Sequence, residues 1–331
     1  MTRKSLIASA LIIGLVLLPA LATAASPVSR LKDPTTRHGD ADGILEQILN
    51  QGAGAVPELT TLAGQETSGQ DYATTVRNGR ARATAIMLLG DMNAQQALPV
   101  LTKILRTSTD ISAITNAARA IGRMGGYQAY KALIDTLAMV NASPDALAAD
   151  RKKAAIMGLG LCGEKAAVNV LLAELNNAKN TLLVRIYAAG SLGLLGNKSG
   201  LALATSGLDS ADPAVIMASI RALGVIGSSS SIADLTPFTA KQEARTFREA
   251  AMLAITQIKA AALPADQKAA FIKQELTRNF GASSYIHWGT GALKRMKTAE
   301  AKKALESMSG LTAPDFQKLR RAARLRMKAT R

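Results

Sequence analysis

Cysteine, histidine and aromatic side chains are nearly missing from this sequence. A single cysteine, Cys162, excludes any disulfide within the 331-residue chain. The two histidines, His38 and His287, have no second His or Cys at ligand spacing and no His-Glu pairing, so no metal and no cofactor is expected. Phe, Tyr and Trp together make up 3% of the residues. That is too few for a β-sandwich or barrel, and too few to stack the bases of a nucleic acid. There is no Gly-Lys-Ser/Thr phosphate loop. Gly158-Leu159-Gly160-Leu161-Cys162-Gly163 spells Gly-x-Gly-x-x-Gly, but it closes a helical pattern rather than following a strand, so its N–H groups are not aimed at a phosphate. Ser/His/Asp chemistry would have to use His38 or His287, and neither sits in a nucleophile-elbow context. The chain therefore reads as a non-enzyme without a small-molecule substrate.

Small aliphatic residues are plentiful, with 48% of the chain hydrophobic. They recur in a fixed pattern: Ala85-Ile86-Met87-Leu88-Leu89-Gly90, Ala120 to Gly125, Ala155 to Gly160, Ser191 to Gly196 and Ala222 to Gly227. The closing glycines are 35, 35, 36 and 31 residues apart, a period that belongs to stacked supersecondary units. Each unit reads as two helices. Ala81, Ala85, Leu88 and Leu89 mark one face of a first helix, and Leu98, Leu101 and Leu105 one face of a second. The closing glycine is expected to end the first helix in the left-handed conformation. Two later copies, Ala254 to Lys259 and Ala292 to Lys297, keep the apolar positions and carry Lys in place of Gly.

Leu89-Gly90-Asp91, followed by Ala97-Leu98-Pro99-Val100-Leu101 and Leu105, resembles the HEAT-repeat family in its short HEAT-like, tetrapyrrole-lyase-type form. The resemblance covers roughly residues 42–310. It implies an all-α, right-handed α-solenoid of about seven antiparallel helix pairs, with the second helices lining the concave face. It also implies binding of another protein through an extended surface. The sequence departs from the family pattern in two ways: the Asp after the glycine occurs only at Asp91, and the last two copies lack the glycine.

The organisation expected outside the array is simple. Residues 1–24 read as a signal peptide: Arg3 and Lys4, an apolar run from Leu6 to Leu18, then Ala22-Thr23-Ala24 as a small-x-small cleavage site. The protein is thus expected to be exported, periplasmic or secreted, the alternative being an uncleaved N-terminal membrane anchor. Residues 25–41 read as a linker and 311–331 as a basic C-terminal capping helix.

The chain carries a net charge of +16, and its last 38 residues hold twelve Lys and Arg against three acids. Phe316, Leu319, Ala323 and Met327 form a narrow apolar stripe, with Lys318, Arg320, Arg321, Arg324, Arg326 and Lys328 around it. This basic patch is a candidate site for an anionic membrane surface or polyanion, the alternative to a protein partner. The second helices carry Lys103, Arg106, Lys131, Asp135 and Glu174, a mixed-sign face suited to a protein and unlike a nucleic-acid groove. The first helices carry Arg82, Arg119, Arg123, Lys152, Arg185, Arg221 and Arg248. Each is expected either to bond the neighbouring repeat or to join a row along one ridge.

Overall fold

The computed structural model describes residues 25–35, 38–67, 71–240 and 243–328. The segment read as a signal peptide lies outside them. So do the side chains of His38 and Lys328. The described residues form helices and no strand.

The α-helices run α1 His38–Gln51, α2 Val56–Gly64, α3 Tyr72–Asp91, α4 Leu98–Thr107, α5 Ile111–Met124, α6 Gly126–Ala142, α7 Ala148–Cys162 and α8 Ala167–Asn176. They continue as α9 Leu182–Leu194, α10 Leu201–Ser206, α11 Pro213–Ile226, α12 Ser231–Leu235, α13 Arg245–Ala262, α14 Ala265–Arg278, α15 Ser283–Met296, α16 Ala299–Ser309 and α17 Gln317–Lys328. Helices α3 to α16 are seven antiparallel pairs, with α1 and α2 before them and α17 after. No described helix is long and apolar enough to cross a membrane.

Caps set several of the starts. Asp71 accepts the Thr74 N–H at 3.0 Å and opens α3. Asp110 and Asp212 cap α5 and α11 in the same way. The capping helix expected over 311–331 begins at Gln317, after a 3-10 turn at Pro314–Phe316.

The glycines have two roles that the repeat pattern merges. Gly125, Gly163 and Gly196 take positive φ at the ends of first helices, as does Asn93 in the corresponding place. Gly90 and Gly160 do not: they lie inside helices and let neighbouring first helices touch backbone to backbone. A Cβ on Gly90 would stand 2.5 Å from Ala120 Cα, one on Gly122 2.5 Å from the Gly158 oxygen, and one on Gly160 2.7 Å from Ser191 Cα. On Gly224 it would meet Ala254 Cα at 2.9 Å. The true repeat mark is therefore Gly90, Gly122, Gly160, Gly193, Gly224, and the left-handed cap follows three residues later at Asn93, Gly125, Gly163 and Gly196.

The second helices meet through long polar side chains. Arg106 of α4 donates to Thr136 Oγ1 at 3.0 Å on α6, and Asn141 of α6 donates to Glu174 of α8 at 3.1 Å. Close contact in one layer and wide spacing in the other make a stack curve toward the close layer. The first helices thus form the inner wall and the second helices the outer one, the reverse of the expectation above.

One buried apolar cluster runs from Val28 to Ile258, and a second from Ala260 to Ala323. The presumed linker is part of the first: Val28 is buried in it, and Ser26 bonds Glu58.

The array does not stay open. Leu325 of α17 joins the cluster that contains the N-terminal repeats. Arg321 and Arg324 of α17 pair with Asp42 and Glu46 of α1, and Arg326 pairs with Asp91 of α3 at 2.8 Å. The last helix docks on the first repeats and closes the solenoid on itself.

Candidate functional site: a cationic concavity on the inner wall

Position relative to the close-contact glycine decides what each first-helix cation does. Arg82, Lys152 and Arg185 stand eight residues before Gly90, Gly160 and Gly193. They point back to the preceding second helix or its end: Arg82 Nε bonds the Ala63 carbonyl at 2.9 Å, Arg185 Nε the Leu175 carbonyl at 2.8 Å, and Lys152 reaches Asn180 and Glu174. These residues seal the repeats, as does Arg151, which donates to the Arg106 and Ser108 carbonyls. Arg248 likewise reaches the Glu243 carbonyl.

Arg119 and Arg221 stand three residues before Gly122 and Gly224, and Arg123 one residue after Gly122. These project from the inner wall. Arg119 on α5 is close enough to Arg221 on α11 for the two charges to disfavour each other, with Tyr187 of α9 also nearby. Helices α5 and α11 are three steps apart along the stack, roughly 25 Å at the usual helix spacing. Their side chains can sense each other only across the concavity. His287 of α15 in turn senses Arg123, Asp91, Arg326 and Arg119. Six helices, α3, α5, α9, α11, α15 and α17, thus face one recess. Arg119, Arg221 and His287 are exposed to solvent, so the recess is open to water.

The electrostatics are lopsided. Arg119, Arg123, Arg221 and Arg326 gather here, and two of them, Arg123 and Arg326, share the carboxylate of Asp91, which is 6% exposed. Arg123 and Arg326 bond its Oδ1 at 3.0 and 2.8 Å. Burial raises the Asp91 pKa, but the two guanidinium charges outweigh it and hold the carboxyl below its usual range. Burial lowers the Arg119 pKa, as do Arg123 and Arg221. Burial and the Arg123 charge lower that of His287, leaving its imidazole neutral near pH 7. Arg119 has only a weak contact to Met157 Sδ at 3.3 Å, and Arg221 makes no hydrogen bond or ion pair among the described residues. Of the first-helix arginines on this wall, these two lack a partner carboxylate or carbonyl among the described residues.

The residues singled out from sequence fall elsewhere. On α17, Arg320 bonds the Leu311 carbonyl at 2.9 Å and approaches Glu46, Arg324 bonds Glu46, and Arg321 and Arg326 pair as above. The basic patch is thus largely turned to closure, with Lys318 left exposed. On the outer wall, Lys131 pairs with Asp135 at 2.9 Å, Arg106 caps the Ala132 carbonyl, Glu174 is buried against Lys152, and Lys103 is exposed. That face holds repeats together. Among the described residues no three His, Cys, Asp or Glu side chains gather so as to hold a metal ion. Cys162 is buried, and burial pushes its thiol pKa up, away from reactivity.

No curated protein matches the chain by sequence. Among solved structures it is similar to the complex of CpcE and CpcF of phycocyanin lyase from Nostoc sp., at 20% identity and TM-score 0.39 over 76% of this chain and 94% of that one. It is also similar to human deoxyhypusine hydroxylase in complex with glycerol, at 17% and 0.32 over 70% and 94%. A third is an engineered protein, at 17% and 0.31 over 90% and 88%. HEAT repeats are matched at residues 73–149 and 171–256. With its glycine-paired inner helices and stacked hairpins, the chain is built of HEAT repeats over those two stretches.

Proposed function

We propose that this protein is an exported, non-enzymatic scaffold that holds an acidic segment of a partner protein in its cationic concavity. Export rests on the pattern of residues 1–24. The observation that supports the binding mode is the convergence of Arg119 and Arg221 from helices three steps apart, neither of them in an ion pair among the described residues. Guanidinium groups pair with carboxylates through two parallel N–H bonds, so preset arginines suit Asp- or Glu-rich chains. A rigid wall loses little entropy on binding. The alternative, an anionic lipid or polyanion held by α17, has less to draw on, because Arg320, Arg321, Arg324 and Arg326 already face Asp42, Glu46 and Asp91.

A fluorescent ten-residue oligoglutamate is the probe. It is expected to bind the full chain, and to bind more weakly as salt shortens the range of the charges. The double variant Arg119→Glu with Arg221→Glu is expected to weaken binding by about tenfold or more, since each like-charge contact costs on the order of a kcal/mol or more. Equal affinity for the wild type and the variant would remove the concavity as the site.

A further inference from the structure

A second cationic feature lies between α15, α16 and α17. It is a cleft of about 640 Å³, inside the range of small-molecule sites. Lys294, Lys297, Lys302, Arg324 and Arg326 line it, against one acid, Glu306, which Lys302 approaches at 3.9 Å. Lys294 and Lys297 make no hydrogen bond or ion pair among the described residues. Lys297 is a non-glycine residue at φ 55°, a left-handed helix end that turns its side chain toward the cleft rather than along α15. Burial and the nearby Arg326 charge lower the Lys294 pKa, with Asp91 acting in the opposite direction. Arg326 is 7% exposed, and its Nε–H finds no acceptor among the described residues. The rest of the wall combines apolar Leu293, Ala299, Leu305 and Met327 with the hydroxyl residues Thr298 and Ser309.

We propose that this cleft binds a small amphipathic anion, a phosphate or carboxylate head on an apolar body. The head would sit among Lys294, Lys297 and Lys302, and the body against Leu305 and Met327. The inference is independent of the oligoglutamate site, since neither Arg119 nor Arg221 lines the cleft.

Isothermal titration of the full chain with octyl phosphate, inorganic phosphate and neutral octyl glucoside tests it. Octyl phosphate is expected to bind at one site, about tenfold or more tighter than either control, because only it satisfies both halves of the cleft. Lys294→Gln with Lys297→Asn, where Asn tolerates the left-handed position, is expected to abolish that preference. Lys302→Gln, on an exposed helical surface, is expected to weaken it without affecting the fold. Sedimentation with phosphatidylglycerol vesicles separates the two sources of such a head. Pelleting points to a membrane lipid; octyl phosphate binding without pelleting points to a soluble anion. Octyl phosphate binding no tighter than octyl glucoside, or binding unchanged in both variants, would overturn the proposal.

Discussion

Gly90→Val is expected to destabilise the protein by about 3 kcal/mol, the upper end of what overpacking costs. The three atoms nearest the added Cβ would all belong to Ala120, at 2.5 Å for its Cα, 2.8 Å for its Cβ and 3.1 Å for its oxygen. Two of those atoms are backbone, so no rotamer change makes room. Helices α3 and α5 would have to part, opening the inner seam. Gly79→Ala is the matched contrast. Gly79 lies in the same helix with nothing within 4 Å of its would-be Cβ. Removing a flexible glycine there should add about 0.5–1 kcal/mol. Denaturant titration of both variants reads the difference. If Gly90→Val unfolds at the wild-type midpoint, the backbone contact of the inner layer is wrong.

The second large effect is expected at Asp91. Asp91→Ala leaves Arg123 and Arg326 facing each other without a counter-charge, and Arg326 is buried. Breaking a buried ion pair from one side costs about 3–5 kcal/mol. Arg123 is partly open to water, which places this loss near the lower figure.

The pH dependence follows from two lowered pKa values. Asp91 is held below the ordinary carboxylate value, so its contribution is complete above about pH 4 and is lost as pH falls through its folded value. His287 is also lowered. Its neutral folded form contributes fully above about pH 6.5, and that stability is lost as pH falls below 6.5, where the unfolded chain takes up the proton first. Asp91→Ala should therefore flatten the most acidic limb of the stability curve and keep the limb that begins near pH 6.5. Thermal midpoints measured between pH 3 and 8 test this. Parallel curves for variant and wild type would show that Asp91 does not carry the acid limb.

The architecture was largely legible because a short motif repeated many times averages out local ambiguity. Helix faces such as Ala81, Ala85, Leu88 and Leu89 follow from spacing alone, and all four are buried. What spacing does not carry is the reason for a glycine. Gly90 and Gly125 look alike in sequence; one admits a neighbouring helix and the other turns the chain. Reading both as helix ends shifted the register and hid the distinction between Arg185, which bonds a carbonyl, and Arg221, which faces the recess.

The second helices were assigned to the concave side by family resemblance, whereas the bulk of the side chains bridging each layer sets the curvature. The closure was out of reach for a different reason. Asp42 and Arg321 are 279 residues apart, and a periodic pattern holds no information about which distant ends will meet. The apolar stripe of α17 was visible, but its destination was not: Leu319 and Ala323 are fully buried, as an interior element requires.

The docking of α17 on α1 and α3 also fixes the arithmetic of the gene. An open helical array can gain or lose a hairpin by duplication or deletion with little harm, since each unit needs only its neighbours. Here one hairpin more or less would move the last helix by roughly one interhelical spacing, about 10 Å, away from the acids it must reach. Length variation should therefore be confined to loops on the outer rim, and the number of units inherited as a whole.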